Sequence, residues 1–298
     1  MSRLEKLNFK IADYHLSLTK SGSGFPLILL HTWHPLAKKI GQLFQNTFQI
    51  ITFDTPGYYS KTEGKLVTNL AQLNLLLEKL FDRLNFQKVD LMGQCLGSVI
   101  SLNFAAQKPN RVRNLICLTP PLLCYQKKIN RALKSIFSLL ERSKIARFLA
   151  THLVIRRRLL GEVSRFFGGY KGLTDIFAQE SSLVSKTQYN PEVFFGLLSS
   201  AFHLDFYKTA KKVKARTLFV SGKNDPLIKA CSPSALAKSM KNASFHLIPS
   251  AKHALPQKNS QALLSLLLDF YKLDFYKPTS LSTSPSKAYK FSHHAPKM

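Results

Sequence analysis

Short apolar runs alternate with helical segments along much of the chain. Pro26–His31, Gln49–Asp54, Lys88–Met92 and Arg113–Leu118 each have the length of a strand. Between the second and third of these runs, Leu66–Leu84 repeats its apolar residues at spacings of three and four, which predicts a helix. Strands that are apolar on both faces lie between two layers of helices. The alternation therefore predicts an α/β fold with a mostly parallel central sheet flanked by helices.

The same patterns place the remaining elements of the sheet. Asn8–Ile11 and Tyr14–Leu18 are predicted as two short strands near an edge, and Leu96–Gln107 is predicted as a helix. Thr217–Val220 and Ser244–Ile248 are predicted as the last two strands. These two strands come after a long interval, so the predicted sheet draws on two separate parts of the sequence.

The interval between those parts predicts the domain organisation. Residues 122–212 show apolar repeats of helical period, so we expect a helical cap inserted over one edge of the sheet. The α/β core then comprises residues 1–121 and 213–276. Residues 277–298 are rich in Ser, Pro and Lys, contain no Asp or Glu and have no period, which predicts a disordered basic tail.

Composition restricts the class of protein. Hydrophobic residues make up 45% of the 298, which allows a sizeable core and excludes a disordered chain. The four cysteines include no C-x-x-C pair, so we predict neither a disulfide framework nor a zinc site, and we expect reduced thiols in the cytoplasm. Residues 1–20 show no secretory leader, and no run approaches the roughly 20 apolar residues of a membrane-spanning helix.

The segment Gly93–Gly97 lies between a predicted strand and a predicted helix. Its sequence, Gly-Gln-Cys-Leu-Gly, has the G-x-S-x-G pattern of a nucleophile elbow with Cys95 in place of serine. In such a tight turn, side chains two positions from the nucleophile would collide with backbone, and the nucleophile itself adopts a strained conformation. The alternative for Cys95 is a small buried apolar side chain. The pentapeptide alone does not distinguish these two interpretations.

Five segments, taken in order, resemble the α/β-hydrolase family. They match its strand ending in His-Gly, its Asp-x-Pro-Gly turn, its elbow region, its strand followed by Gly-x-x-Asp, and the segment that carries its catalytic histidine. These segments are Pro26–His31, Asp54–Gly57, Val89–Leu118, Val220–Asp225 and Ile248–His253. The order nucleophile, acid, histidine is also that of the family.

The resemblance implies a role for three residues. Cys95 would attack a carbonyl carbon, His253 would transfer protons, and Asp225 would orient the imidazole. Simpler alternatives remain for two of them: Asp225 as a turn or N-cap residue before Pro226, and His253 as a solvated loop residue. The resemblance implies no metal and no organic cofactor.

The resemblance also implies an oxyanion hole formed by two backbone N–H groups, those of Leu96 and Trp33. His34, in the same loop as Trp33, is a candidate for contact with the substrate. The sequence departs from the family at two places. Thr32 stands where a glycine follows the first of these strands, and Ser98 stands where the elbow has a further glycine.

These residues predict an enzyme that cleaves or transfers an acyl group of an ester or thioester through an acyl-Cys95 intermediate. A hydrolase of the carboxylesterase or thioesterase type is expected. An acyltransferase is the other type that fits, because a thioester intermediate can pass its acyl group to several acceptors. Family branches with cysteine at this position include dienelactone-hydrolase-like and polyhydroxyalkanoate-synthase-like enzymes. The alternative is a catalytically silent fold that binds a ligand or a partner. Replacement of serine by Cys95 and of glycine by Thr32 favours that alternative, whereas retention of Asp225 and His253 opposes it.

Positive charge is concentrated in part of the predicted cap. The chain carries a formal net charge of +27, and Lys127–Lys171 contains twelve Lys or Arg against two acids, Glu141 and Glu162. A solvated surface is one interpretation of this segment. The other is a docking surface for an acidic carrier protein or an anionic membrane, in line with a small-molecule or carrier-bound acyl substrate. Nucleic acid ranks last, because the sequence has no recognisable nucleic-acid-binding module.

Overall fold

The structure is a computed structural model, and its described residues make up most of the predicted α/β core, residues 1–121 and 213–276. Most of the predicted cap (122–189), the loop 31–39 and the predicted tail (277–298) lie outside them. The described residues are 5–30, 40, 44–53, 55–58, 64–121, 135, 139, 143, 145, 190–225, 231–253, 255, 260 and 261–272.

The sheet confirms the predicted fold class. Its eight strands follow the order β1-β2-β4-β3-β5-β6-β7-β8. β2 runs antiparallel to β1 and β4, and the remaining neighbours are parallel. The strands are β1 (Glu5–Ile11), β2 (Tyr14–Ser21), β3 (Phe25–Leu30), β4 (Phe48–Phe53), β5 (Val89–Gln94), β6 (Val112–Leu118), β7 (Arg216–Gly222) and β8 (Ala243–Ile248).

Six helices accompany the sheet in the described part of the chain. They are α1 (Leu70–Arg83), α2 (Leu96–Gln107), α3 (Pro191–Phe202), α4 (Phe206–Lys211), α5 (Cys231–Lys238) and α6 (Ser260–Tyr271). The first begins at Leu70 and not at Leu66, because the side chain of Asn69 accepts a hydrogen bond from Gln72 N at 2.9 Å and caps the helix there. None of the described helices has the length and apolar character to cross a bilayer.

The core occupies both faces of the sheet. Leu91 and Leu115 pack on one face with α1 and α2, whereas their neighbours Met92 and Ile116 pack on the other face with α6. Successive side chains of a strand point to opposite faces, so both positions of each pair are buried. The strands are therefore apolar at consecutive positions, which is the pattern seen in the sequence.

The carboxyl end of the predicted cap is helical and packs on this core. Val193 and Leu197 of α3 and Phe206 and Ala210 of α4 belong to the same buried cluster as α1 and α2. α4 leads directly into β7. The other boundaries of the predicted cap stay a prediction, since they fall outside the described residues.

Candidate active site

Cys95 occupies the turn between β5 and α2. Its backbone has φ 51° and ψ −119°, a left-handed conformation that costs a residue with a Cβ roughly 1–3 kcal/mol. The turn is held because Cys95 N donates a hydrogen bond to Leu118 O at 2.9 Å. The thiol is half-buried. It also lies at the amino end of α2, where the helix dipole favours negative charge.

Gly93, two residues before Cys95, permits this turn. A Cβ atom built on Gly93 would collide with the backbone of Gly97 and Ser98, so the end of β5 touches the first turn of α2. Only a residue without a side chain fits at this position.

Ser98, one of the two departures from the family pattern, is accommodated by hydrogen bonds. Its buried hydroxyl lies 2.7 Å from Gly93 O and 2.8 Å from Leu118 O, so its single proton has two acceptors within reach. Leu118 O also accepts the bond from Cys95 N. Ser98 therefore ties the ends of β5 and β6 to the first turn of α2.

Two loops at the same edge of the sheet bring Asp225 and His253 together. Asp225 follows the end of β7, and His253 follows the end of β8. Asn224 N donates to Ala251 O at 2.9 Å, which joins the two loops. A Cβ on Gly222 would collide with Ala251 O, so the glycine allows this close approach. The Gly-x-x-Asp segment thus has a steric reason for its glycine.

The imidazole of His253 is fixed by Asp225. Nδ1 lies 2.8 Å from Asp225 Oδ2, and both side chains are buried. The other ring nitrogen, Nε2, is also buried and has no hydrogen-bond partner among the described residues. Since the carboxylate accepts the Nδ1 proton, the ring is oriented and Nε2 is left for proton transfer.

The charge balance around His253 links it to Cys95. Burial lowers the pKa of His253, but the negative charge of the Cys95 thiolate and the hydrogen bond to Asp225 raise it, and the net pKa is about 10. Cys95 is thus close enough to raise the pKa of the imidazole. The raised pKa favours the imidazolium form of His253 at neutral pH.

Comparison with known proteins identifies the family of this chain. Residues 23–257 match the model of the alpha/beta hydrolase fold family. The chain belongs to that family.

Its sequence identity to individual α/β-hydrolases is low, but the matched regions cover nearly the whole of both chains. It is 24% identical over 292 residues to a 2-hydroxy-6-oxononadienedioate/2-hydroxy-6-oxononatrienedioate hydrolase of Comamonas testosteroni, covering 90% of this chain and 96% of that protein. It is 22% identical over 295 residues to a 2-hydroxy-6-oxo-6-phenylhexa-2,4-dienoate hydrolase of Burkholderia cepacia, with the same coverage. A thermophilic esterase from Thermogutta terrifontis superposes with a TM-score of 0.63 at 17% identity, over 91% of this chain and 98% of that one.

The predicted oxyanion hole lies only partly within the described residues of this α/β-hydrolase. Leu96 is the first residue of α2, so its N–H has no partner within the helix and is available to a developing oxyanion. Trp33, His34 and Thr32 lie outside the described residues. The second half of the hole and the contact of His34 with the substrate stay predictions.

Thr119 is a residue of this region that no sequence motif indicated. Gln94 pairs with Leu118 across β5 and β6, which places Thr119 opposite Cys95. Thr119 has φ 44°, is fully buried, and its hydroxyl has no hydrogen-bond partner among the described residues. A left-handed backbone is rare for a β-branched residue. In the sequence, Thr119 is indicated only by its position directly after the apolar run Arg113–Leu118.

Proposed function

We propose that this α/β-hydrolase cleaves or transfers an acyl group through a covalent acyl-Cys95 intermediate. One observation supports this most strongly: a buried Asp225–His253 pair leaves Nε2 without a partner among the described residues, while Cys95 acts on the same imidazole. A nucleophile, a proton carrier and an orienting carboxylate are the three parts that acyl transfer requires.

In the first step, the thiolate of Cys95 attacks the carbonyl carbon of the substrate. The carbonyl oxygen becomes an oxyanion, which the N–H of Leu96 and the predicted N–H of Trp33 stabilise. The bond to the leaving group then breaks, and the imidazolium of His253 donates its Nε2 proton to that group. The products of this step are the protonated leaving group and a thioester on Cys95.

In the second step, an acceptor attacks the thioester and loses a proton to His253. The acyl group passes to the acceptor, and Cys95 leaves as a thiolate, which restores the starting charges. Water as the acceptor makes the enzyme a hydrolase of the carboxylesterase or thioesterase type. An alcohol, amine or thiol as the acceptor makes it an acyltransferase.

A second candidate is hydrolysis of a carbon–carbon bond. The relatives in Comamonas testosteroni and Burkholderia cepacia are hydrolases of hydroxy-oxo-dienoates. Because such compounds contain no ester or thioester, their hydrolysis has to break a carbon–carbon bond beside the ketone. The same residues serve this reaction: Cys95 attacks the ketone carbon, and His253 protonates the carbon that leaves.

The experiment that tests the proposal combines turnover with intact-protein mass. Wild type is mixed with an activated acyl ester, and separately with a hydroxy-oxo-dienoate whose absorbance reports cleavage. We expect turnover of one substrate and an acyl adduct on wild type that Cys95→Ala does not form. Cys95→Ala should unfold at nearly the wild-type temperature, and Cys95→Ser should keep part of the activity. Wild type with neither turnover nor adduct would favour the catalytically silent fold.

A further inference from the structure

The amino ends of β6, β7 and β8, at the edge of the sheet opposite Cys95, form one continuous surface. The segments that precede β6, β7 and β8 touch each other there: Lys214 Nζ lies 3.5 Å from Asn110 Oδ1, and Asn242 Nδ2 lies 3.5 Å from Lys214 O. Asn242 O in turn accepts a hydrogen bond from Thr217 N at 2.8 Å. Since these strands are parallel, their amino ends share one edge, and these contacts close the gaps between the loops.

The carboxyl end of α6 joins this surface. Arg216, the first residue of β7, donates a hydrogen bond from Nη1 to Phe270 O at 2.6 Å. Its guanidinium also lies 4.3 Å from the centre of the Phe270 ring. Lys272, which follows α6, is therefore placed beside the amino end of β7.

This surface carries lysines that the described protein does not neutralise. We call them the lysine edge: six exposed side chains, none of which forms an ion pair with the described residues. They are Lys211, Lys212, Lys214, Lys238, Lys241 and Lys272.

Carboxylates nearby are already engaged by other cations. Glu78 pairs with Lys108 at 2.6 Å, and Asp82 pairs with Arg111 at 2.8 Å. Asp269, an exposed residue of α6, contributes one negative charge. The lysine edge is thus a region of net positive charge. In sequence it is followed by Asp274 and then by residues 277–298, which add four lysines and no Asp or Glu.

We infer that the lysine edge binds an anionic lipid surface. Lysine ammonium groups are hydrated point charges that suit the diffuse charge of a leaflet, whereas phosphates of a nucleic acid are typically gripped by the fork of arginine. Sequence-tolerant binding of single strands also uses exposed aromatic side chains for stacking. The aromatic ring at this surface, Phe270, is buried and covered by the guanidinium of Arg216. This inference does not depend on the chemistry proposed for Cys95.

The orientation has a consequence for the candidate active site. Cys95 follows the carboxyl end of β5, at the edge away from the lysines. A protein held on a membrane by the lysine edge therefore keeps Cys95 directed towards the aqueous phase, where it receives a dissolved substrate.

The test is co-sedimentation of the full chain with vesicles, together with a variant that removes part of the lysine edge. Vesicles contain either phosphatidylcholine alone or equal parts of phosphatidylcholine and phosphatidylglycerol. We expect wild type to bind only the anionic vesicles. Lys212→Gln, Lys214→Gln and Lys241→Gln together should lower the partition coefficient roughly 100-fold. Binding by wild type should weaken as salt rises, since the Debye length falls from about 10 Å at 0.1 M to about 3 Å at 1 M.

A matched control separates this surface from total charge. Lys6→Gln, Lys10→Gln and Lys65→Gln remove three positive charges from exposed positions near β1, at the far end of the sheet. We expect this variant to bind nearly as wild type does. An equal loss in both triple variants would show that net charge alone drives binding, and would overturn the inference.

Two further outcomes would also overturn it. One is loss of vesicle binding in Arg156→Gln, Arg157→Gln and Arg158→Gln with no loss in the variant of the lysine edge, which would move the membrane contact to the predicted cap. The other is displacement of wild type from vesicles by an equal charge concentration of single-stranded DNA, which would favour nucleic acid. Because sedimentation needs no turnover, an inactive protein leaves this test intact.

Discussion

Two buried carboxylates, one near the amino ends of the parallel strands and one near their carboxyl ends, have different hydrogen-bond partners. Asp90, near the amino end of β5, accepts hydrogen bonds from Arg113 Nε at 3.0 Å and Nη2 at 2.8 Å, and from Asn114 N at 3.1 Å. Asp225 binds His253, whose second nitrogen has no hydrogen-bond partner in the described part of the chain. Arginine keeps its charge at every physiological pH, whereas histidine gains and loses a proton. One edge therefore holds a fixed structural ion pair, and the other holds a pair able to move protons.

Strained backbone occurs at the carboxyl edge, as well as at Ala12, Asn85 and Lys272 elsewhere. Cys95 and Thr119, at the carboxyl ends of adjacent strands, both have positive φ. Such conformations cost roughly 1–3 kcal/mol each and concentrate at functional sites. The comparison predicts that substitutions at the carboxyl edge change activity more than stability, and that substitutions around Asp90 do the reverse.

The largest expected effect tests the pair at the carboxyl edge. His253→Ala should lower kcat roughly 10⁴-fold, because the proton carrier is lost, and Asp225→Asn should cost somewhat less. Since the two residues act as one unit, the double variant should be little slower than His253→Ala. Steady-state kinetics on whichever substrate is turned over provides the measurement. Losses that multiply in the double variant would show that the residues act separately.

The next effect tests the pair at the amino edge. Arg113→Leu leaves the carboxylate of Asp90 buried without its cation, which should lower the free energy of unfolding by about 2–3 kcal/mol. We expect less than the full effect of a buried pair, because 42% of the Arg113 side chain is exposed and water can approach. Urea denaturation measures the loss. A large fall in kcat at temperatures where the variant is fully folded would contradict the proposed division between the edges.

The pKa of His253 tests whether Cys95 lies close to the imidazole. Cys95→Ala removes a neighbouring negative charge, so the pKa should fall below its wild-type value of about 10. The raised pKa stabilises the folded state below pH 6.5, and that contribution disappears as pH rises through about 10. NMR titration of the imidazole gives the pKa, and an unchanged value would place the thiol too far away to act.

The smallest effect concerns the buried hydroxyl of Thr119. Thr119→Val keeps the shape and the β-branch but removes a hydroxyl that has no partner among the described residues. Because the removed hydroxyl is buried without a partner among the described residues, its loss should raise the free energy of unfolding by about 1 kcal/mol. Thermal or urea denaturation detects the change. A destabilised variant would instead show that a bound water, or a group outside the described residues, satisfies the hydroxyl.

Much of the fold could be predicted from the sequence because its causes are local. The strand predicted at Lys88–Met92 is β5, Val89–Gln94, which extends further because Gln94 still pairs with Leu118 of β6. The start of α1 was predicted four residues early, since apolar spacing continues past the point where Asn69 caps the helix. Such errors at element ends reflect hydrogen bonds that periodicity does not register.

The candidate site could be predicted in its members but not in its geometry. Cys95 was identified from flanking glycines whose steric need is local, and the structure explains Gly93 by its contact with the next turn. The 2.8 Å approach of His253 to Asp225 joins residues 28 positions apart, and no local pattern contains it. Their catalytic roles remain the proposal made above.

Sequence alone determined the alternation of strands and helices, the position of the elbow and the excess of positive charge. Each depends on neighbours along the chain: side-chain period, turn sterics and composition. Only the tertiary structure decided the order of the strands, the raised pKa of His253, the saturation of Asp90 and the gathering of six lysines at one edge. These depend on atoms distant in sequence that meet within a few ångströms, where loss of water makes each charge sensitive to its new neighbours.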